Sequence, residues 1–282
     1  MPNAKLFSII KEEWITKTTR LPITDDYIFK RVFAYKGNES VLKDFLEAIL
    51  KKEIKKVTIK NPEIIPYEKG EKRGLLDIKA ETEDGTMLDI EMQMEDEKDI
   101  DERATSYMGK LISEQLQVGH KYIELKKSIV IFITNYNFLN RNSYHSVGRM
   151  KFDKTLKDEY VDMGFKIEDE IASKYIEVHY IELPKFKKRE LSKFTKLDQW
   201  MCIFTQNKEG IMLAEKENKE IEKAINTLDF LSKDPKERER HNSIVMAEYN
   251  RLVSEQNFFE EGIEAGKKQR NWAAEQKKNQ KK

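Results

Sequence analysis

Hydrophobic positions along the chain recur with two periods, and the switches between them mark out the elements. From Arg73 to Met94 the period is two. Leu76, Ile78 and Ala80 alternate with Asp77 and Lys79, and Leu88, Ile90, Met92 and Met94 alternate with Asp89, Glu91 and Gln93. Strands with one apolar face read this way. Glu83-Asp84-Gly85 stands between them, and a glycine there takes positive φ without steric penalty, so the stretch predicts a β-hairpin. Upstream the period is helical. Phe29 and Phe33 sit one turn apart, behind Thr24 or Asp25 as N-cap. Residues 40–52 predict a second helix with Val41, Phe45, Ala48 and Ile49 inward. Residues 57–65 read as an edge-like strand, because Pro62 cannot donate a ladder hydrogen bond.

Past the hairpin, the acidic run EDEKDIDE reads as a solvated connection. Residues 103–122 predict a long helix. Ala104, Met108, Leu111 and Ile112 form its apolar side, and Arg103, Tyr107, Lys110 and Glu114 an adjacent stripe. For Lys110 and Glu114 the expectation is an exposed stripe with ordinary intrahelical pairs. KKSIVIFIT, from Lys126, is continuously apolar and predicts a central strand covered on both faces. NRNSYHSVGRM is weakly patterned, and residues 175–183 alternate like a strand that ends at Pro184. Beyond Lys187 the chain becomes charged helix, with apolar periodicity around Trp200, Ile203, Phe204, Met212, Ile221 and Leu228. Pro235 opens the next helix, and the last residues are nearly all lysine, arginine, glutamine and asparagine, for which disorder is the default. The fold class is α/β, a mixed central sheet flanked by helices. A lead segment (1–20) precedes a core domain (21–190), a helical extension (191–262) and a charged tail (263–282).

Composition narrows the function. Charged residues make up 37% of the 282-residue chain and hydrophobic ones 39%, with a net charge of only +1. Any basic surface for nucleic acid must therefore be local. One cysteine, Cys202, excludes an internal disulfide, suits a reducing compartment and reads as a packing residue. The amino terminus lacks a secretory pattern, and the longest apolar run, residues 129–133, is too short to span a bilayer of about 30 Å. A soluble, cytoplasmic protein without membrane contact is expected. His120, His145, His179 and His241 have no zinc-ligand spacing. No glycine-rich phosphate loop precedes a Lys-Ser/Thr pair, and no Gly-x-Ser-x-Gly element is present, which argues against an ATPase and a serine hydrolase.

The hairpin carries the candidate chemistry. If it pairs about Gly85, Asp77 and Glu91 belong to neighbouring strands and can converge on one cation, which relieves their repulsion. An Asp, a short hairpin turn and then Glu91-Met92-Gln93 resembles the PD-(D/E)XK nuclease superfamily, specifically its Rpn branch of recombination-promoting, transposase-like nucleases. Leu76 replaces the proline of the superfamily's name and Gln93 its lysine; the second departure is usual in this branch. The stretch from Asp26 to Phe33 resembles the branch's opening Asp-x-x-Phe-Lys-x-x-Phe signature, and Ile-Glu-Leu-Pro-Lys-Phe186 its closing motif. The matches run from Leu21 to Phe186.

The resemblance implies a restriction-endonuclease-like core and metal-dependent DNA cleavage linked to recombination or mobile elements. Asp77 and Glu91 would ligate Mg²⁺, with Mn²⁺ as the alternative, since hard ions take carboxylate oxygens. The backbone carbonyl of Met92 would add a third oxygen. Gln93, on the Glu91 face, would orient the attacking water, and Asp26 would hold a metal-bound water or second ion, or else only cap its helix. Lys79 is a candidate phosphate contact or a substitute for the missing lysine, Arg103 and Tyr107 approach the site, and Asp89 is read as rim. The rival is a non-cleaving DNA-binding module, or an assembly protein that oligomerises with itself through its carboxyl-terminal helices.

Overall fold

The computed structural model describes residues 20–61, 78–96, 98–116, 121–151, 171–187 and 194–279. The expectations placed on the lead segment, Pro62, Leu76, Asp77 and His120 lie outside these residues.

Local sequence starts each element for an identifiable reason. Helix α1 (Asp26–Phe33) is capped by Asp25, whose carboxylate accepts from the Tyr27 and Ile28 amides at 3.1 and 3.2 Å. Helix α2 spans Glu39–Leu50 and leads to strand β1 (Val57–Ile59). The hairpin forms as β2 (Ile78–Thr82) and β3 (Met87–Gln93), turning at Gly85 with φ of 82°. A side chain at Gly85 would also press on Lys126, so both backbone and space require glycine there. Helix α3 (Ile100–Gln115) starts before and ends short of the helix read from the sequence. Then come β4 (Ser128–Thr134), β5 (His145–Lys151) and β6 (Ile171–Glu182), followed by the short α4 (Leu183–Lys187). Strand β6 ends at Glu182, and Pro184 falls inside α4. Helices α5 (Lys196–Phe204), α6 (Lys208–Glu217) and α7 (Lys219–Lys233) precede the long α8 (Pro235–Asn279).

Among the described residues six strands form one mixed sheet in the order β1-β2-β3-β4-β6-β5. β1 is an edge strand and β4 is central, buried along its whole length and parallel to both β3 and β6. The weakly patterned segment around His145 is a strand, the opposite edge, antiparallel to β6. Alternation along β4 divides the two faces. Val130 and Phe132 pack under α3, against Ile100, Ala104, Met108 and Leu111. Ile129 and Ile131 point to the other face, the one reached by the end of α2.

That second layer holds an aromatic cluster. Phe33 lies 4.8 Å from Phe45 and 5.4 Å from Trp200 between ring centroids, and Phe204 stacks near Phe45 at 5.5 Å. Helix α5 thus completes the core begun by α1 and α2, although its sequence reads as the start of an extension. Cys202 is buried in α5, with its thiol pushed up to about 11 by burial and by Asp198, which suits packing and not nucleophilic attack. Gly210 of α6 lies so close that an added methyl would meet the Cys202 sulfur. The chain divides into two compact units at Ser232/Lys233. The second unit contains α8, whose first turn is capped by Asp234 at 2.9 and 3.0 Å from the Lys236 and Glu237 amides. α8 continues through the segment whose composition predicts disorder, because Ala, Glu, Lys, Gln and Arg are also strong helix formers.

Glu47 ties α2 to its surroundings. It accepts from Lys43 at 2.7 Å, Lys196 of α5 at 2.9 Å and the Ile54 amide at 3.0 Å. Burial pushes its carboxyl up, but these three donors outweigh burial and bring it down to about 2. A carboxyl depressed on folding stabilises the fold above its unfolded value and loses that contribution as pH falls through the folded one. Glu47→Gln should therefore lower stability at pH 7 by about 2 kcal/mol. It should also flatten the loss of stability between pH 4.5 and about 2, as read by urea unfolding at a series of pH values.

Candidate metal and phosphodiester site

Pairing about Gly85 sets Lys79 opposite Asp89 and Ile78 opposite Ile90, while β3 and β4 place Glu91 beside Phe132 and Gln93 beside Thr134. Because strand side chains alternate, Asp89, Glu91 and Gln93 share the face covered by α3, and Leu88 and Ile90 the other. The two carboxylates are almost fully enclosed, Asp89 at 1% and Glu91 at 2% relative exposure. Gln93 Nε2 donates to Glu91 Oε2 at 3.3 Å. The amide thus orients the carboxylate from the strand end, where β3 leaves the sheet.

Asp89, read from the sequence as rim, is instead an inward carboxylate. Its position two residues before Glu91 already placed it on the same face; its depth comes from α3 crossing above. Lys79 is drawn into the same layer, its Nζ 3.1 Å from Glu114 Oε1 and its side chain only 16% exposed. Burial pulls the Lys79 ammonium down, but Glu114 and Asp89 outweigh burial, so its net shift is upward and the charge is kept. Glu114 therefore pairs across to β2 of the sheet. Ion pairs between elements leave no trace in helical spacing.

The remaining candidates are spread around this layer. Arg103 Nε donates to Asp99 Oδ1 at 2.9 Å, tying the start of α3 to the residue before it. The Tyr107 ring lies 6.1 Å from that of Phe132, the neighbour of Glu91, and Phe132 stacks on Tyr180 at 5.7 Å. An aromatic floor therefore runs beside the carboxylates. Asp26 is half-buried in the first turn of α1. Met92 sits in β3 between Glu91 and Gln93, level with Ile133.

The donors on this face are oxygen atoms of carboxylates and an amide, the set that hard divalent cations take. Among the described residues no three His, Cys, Asp or Glu side chains gather to hold a metal. Asp26, Asp89 and Glu91 do not make such a group. A centre at Glu91 requires another carboxylate, and Asp77, the residue before Ile78, lies outside the described residues.

Among the described residues no helix is long and apolar enough to cross a membrane. No curated protein and no solved structure matches the chain. The family model described as PD-(D/E)XK nuclease family transposase matches residues 23–253, from α1 into α8. Nucleases of this superfamily typically use divalent metals, and the family implies DNA as substrate. The sheet order, the buried β3 carboxylates and this match agree: the chain belongs to the PD-(D/E)XK nuclease family transposases.

Proposed function

We propose that the protein is a divalent-metal-dependent DNA endonuclease linked to recombination or mobile elements, with its site at the β3 carboxylates. The observation that carries this reading is the enclosed Asp89–Glu91 pair on a central strand. Burying ionised carboxylates costs several kcal/mol each unless cations and donors compensate, and the Lys79 ammonium lies close enough to Asp89 for the two charges to attract. In this reading Asp77 and Glu91 hold Mg²⁺ or Mn²⁺, with the Met92 carbonyl as a further ligand. A bound ion would neutralise the scissile phosphate and acidify a coordinated water.

The chain's own residues have separate tasks. Glu91 supplies a fixed anionic oxygen, and Gln93 holds it in one rotamer while offering its carbonyl to orient a water. An amide cannot supply the positive charge of a lysine, so Gln93 positions and does not neutralise. Asp26 would act on a second water or ion from α1. Arg103 and Tyr107 border the face where a DNA strand would lie. The hydrogen bond that engages Gln93 with Glu91 favours a second reading, a DNA-binding module that does not cleave.

Asp77→Ala and Glu91→Ala should each lower Mg²⁺-dependent nicking of supercoiled plasmid by at least about 100-fold, with unchanged far-UV circular dichroism. Nicking at the wild-type rate in either variant contradicts the assignment, and salt-sensitive DNA binding without turnover in the wild type selects the second reading. Lys79→Met removes a counter-ion from beside a buried carboxylate and should destabilise the fold by about 3 kcal/mol. If Lys79 also touches phosphate, the Michaelis constant for DNA should rise in the folded variant.

A further inference from the structure

The sheet's other face has its own polar cluster, at the end where β4 begins. A cleft of about 140 Å³ is lined there by Lys52, Thr82, Thr86, Lys127, Arg149 and Glu177, over an apolar base that includes Ile129. Its parts come from separate elements. Lys51 ends α2 in a left-handed conformation, φ 52°, and the chain turns to present Lys52. The threonines flank the β2–β3 turn, Lys127 precedes β4, and Arg149 faces Glu177 across the β5–β6 ladder. Glu177 neighbours Ile129 in register, whereas Glu91 neighbours Phe132. The cleft and the β3 carboxylates are therefore on opposite faces of the sheet.

Glu177 is 5% exposed and anchors the cleft's cations. Its Oε2 accepts from Arg149 Nε at 2.6 Å and Lys127 Nζ at 3.0 Å. Its Oε1 lies 2.7 Å from His179 Nε2, and His179 Nδ1 lies 2.9 Å from His145 Nε2. With Glu177 ionised, His179 donates to it from Nε2 and accepts from His145 at Nδ1. Burial pushes the Glu177 carboxyl up, but His179, Lys127 and Arg149 outweigh burial and hold it well below the usual range. Burial and the neighbouring His179 push His145 down to about 4, so the His145 ring is neutral at pH 7.

One buried carboxylate thus fixes two cations that remain partly exposed, Arg149 at 45% and Lys127 at 36% of the side chain. Arg149 uses Nε for this bond, and its side chain lines the cleft. Lys52, at 59%, shares its ammonium with Asp84. The three cations outnumber the two carboxylates that pair with them, and the threonine side chains lie on the same wall. A planar guanidinium beside lysine ammoniums and hydroxyls matches a tetrahedral oxyanion with several acceptor oxygens. The volume holds several waters, room for one such group.

We propose that this cleft is a metal-independent binding site for a phosphate group, separate from the β3 carboxylates. Arg149 grips two phosphate oxygens, Lys127 and Lys52 neutralise the charge, and Glu177 with its histidine chain sets the geometry without touching the ligand. Whether the phosphate belongs to a nucleic-acid strand or is free in solution, the chemistry of recognition is the same.

The test is equilibrium dialysis of the full chain with radiolabelled inorganic phosphate, in EDTA and at constant ionic strength. Wild type should take up one equivalent. Arg149→Lys keeps the pair with Glu177 but loses the fork, and Lys52→Gln alters an exposed side chain; each should weaken uptake by about tenfold with the melting temperature kept. Glu91→Ala should bind phosphate as wild type does, whether or not the chain cleaves DNA, so this result and the nuclease assignment fail separately. Displacement of the label by a 5′-phosphorylated oligonucleotide identifies a nucleic-acid source, and displacement by inorganic phosphate alone a free one; both support the site. Absence of saturable uptake, or equal uptake by wild type and both folded variants, overturns it.

Discussion

The α3 side of this protein is governed by the cost of withdrawing carboxylates from water. Asp89 and Glu91 are enclosed on a central strand, where an ionised oxygen is tolerated only with a cation or donors close by. Lys79 is drawn under α3 to lie between Asp89 and Glu114, and Gln93 folds back to donate to Glu91. A core of this kind built only for stability would carry apolar side chains at both positions, since replacing a buried ion pair with hydrophobic residues is often neutral or stabilising. In the proposed function these carboxylates are kept because they serve a metal-dependent site. The aromatic floor of Tyr107, Phe132 and Tyr180 keeps the layer dry and its electrostatics strong.

Both faces of the sheet are covered, and the covers differ. On the α3 side the helix meets strands through a mixture of apolar and ionic contacts. On the other side α1, α2 and α5 meet through Phe29, Phe33, Phe45, Trp200 and Phe204, which bury large apolar areas. Polar groups on that side are paired, such as Asp44 accepting from the Trp200 indole at 2.9 Å. Glu182 shows the same economy at the end of β6. Its carboxylate is fully buried, accepts from the Phe138 and Leu139 amides at 2.8 and 3.2 Å, and pairs with Lys185. The Ile-Glu-Leu-Pro-Lys-Phe motif is thus a clasp for the loop after β4.

Local rules made the hairpin and central strand legible. Gly85 announced its turn and residues 128–134 their burial, because both signals act within a few positions. Strand β5 was not legible: HSVGRMK has little alternation, and an edge strand is held largely by backbone pairing to β6. Helix α5 looked like the start of a charged extension because lysines surround it, and only the folded chain brings Trp200 and Phe204 to Phe33 and Phe45. For the site, the face shared by Asp89, Glu91 and Gln93 followed from alternation. The depth of Asp89 and the Lys79–Glu114 pair depend on where α3 crosses the sheet, which spacing within one element does not encode. The β5–β6 histidine chain was hidden for the same reason, since His145 and His179 are distant in sequence and have no ligand-like spacing.

The most direct measurement is an anomalous difference map from crystals of the full chain grown with Mn²⁺. The account predicts a single strong peak, or a close pair, within coordination distance of carboxylate oxygens from both Asp77 and Glu91. A map in which the Asp77 side chain lies on the opposite sheet face from Glu91, with no peak beside either, would contradict it.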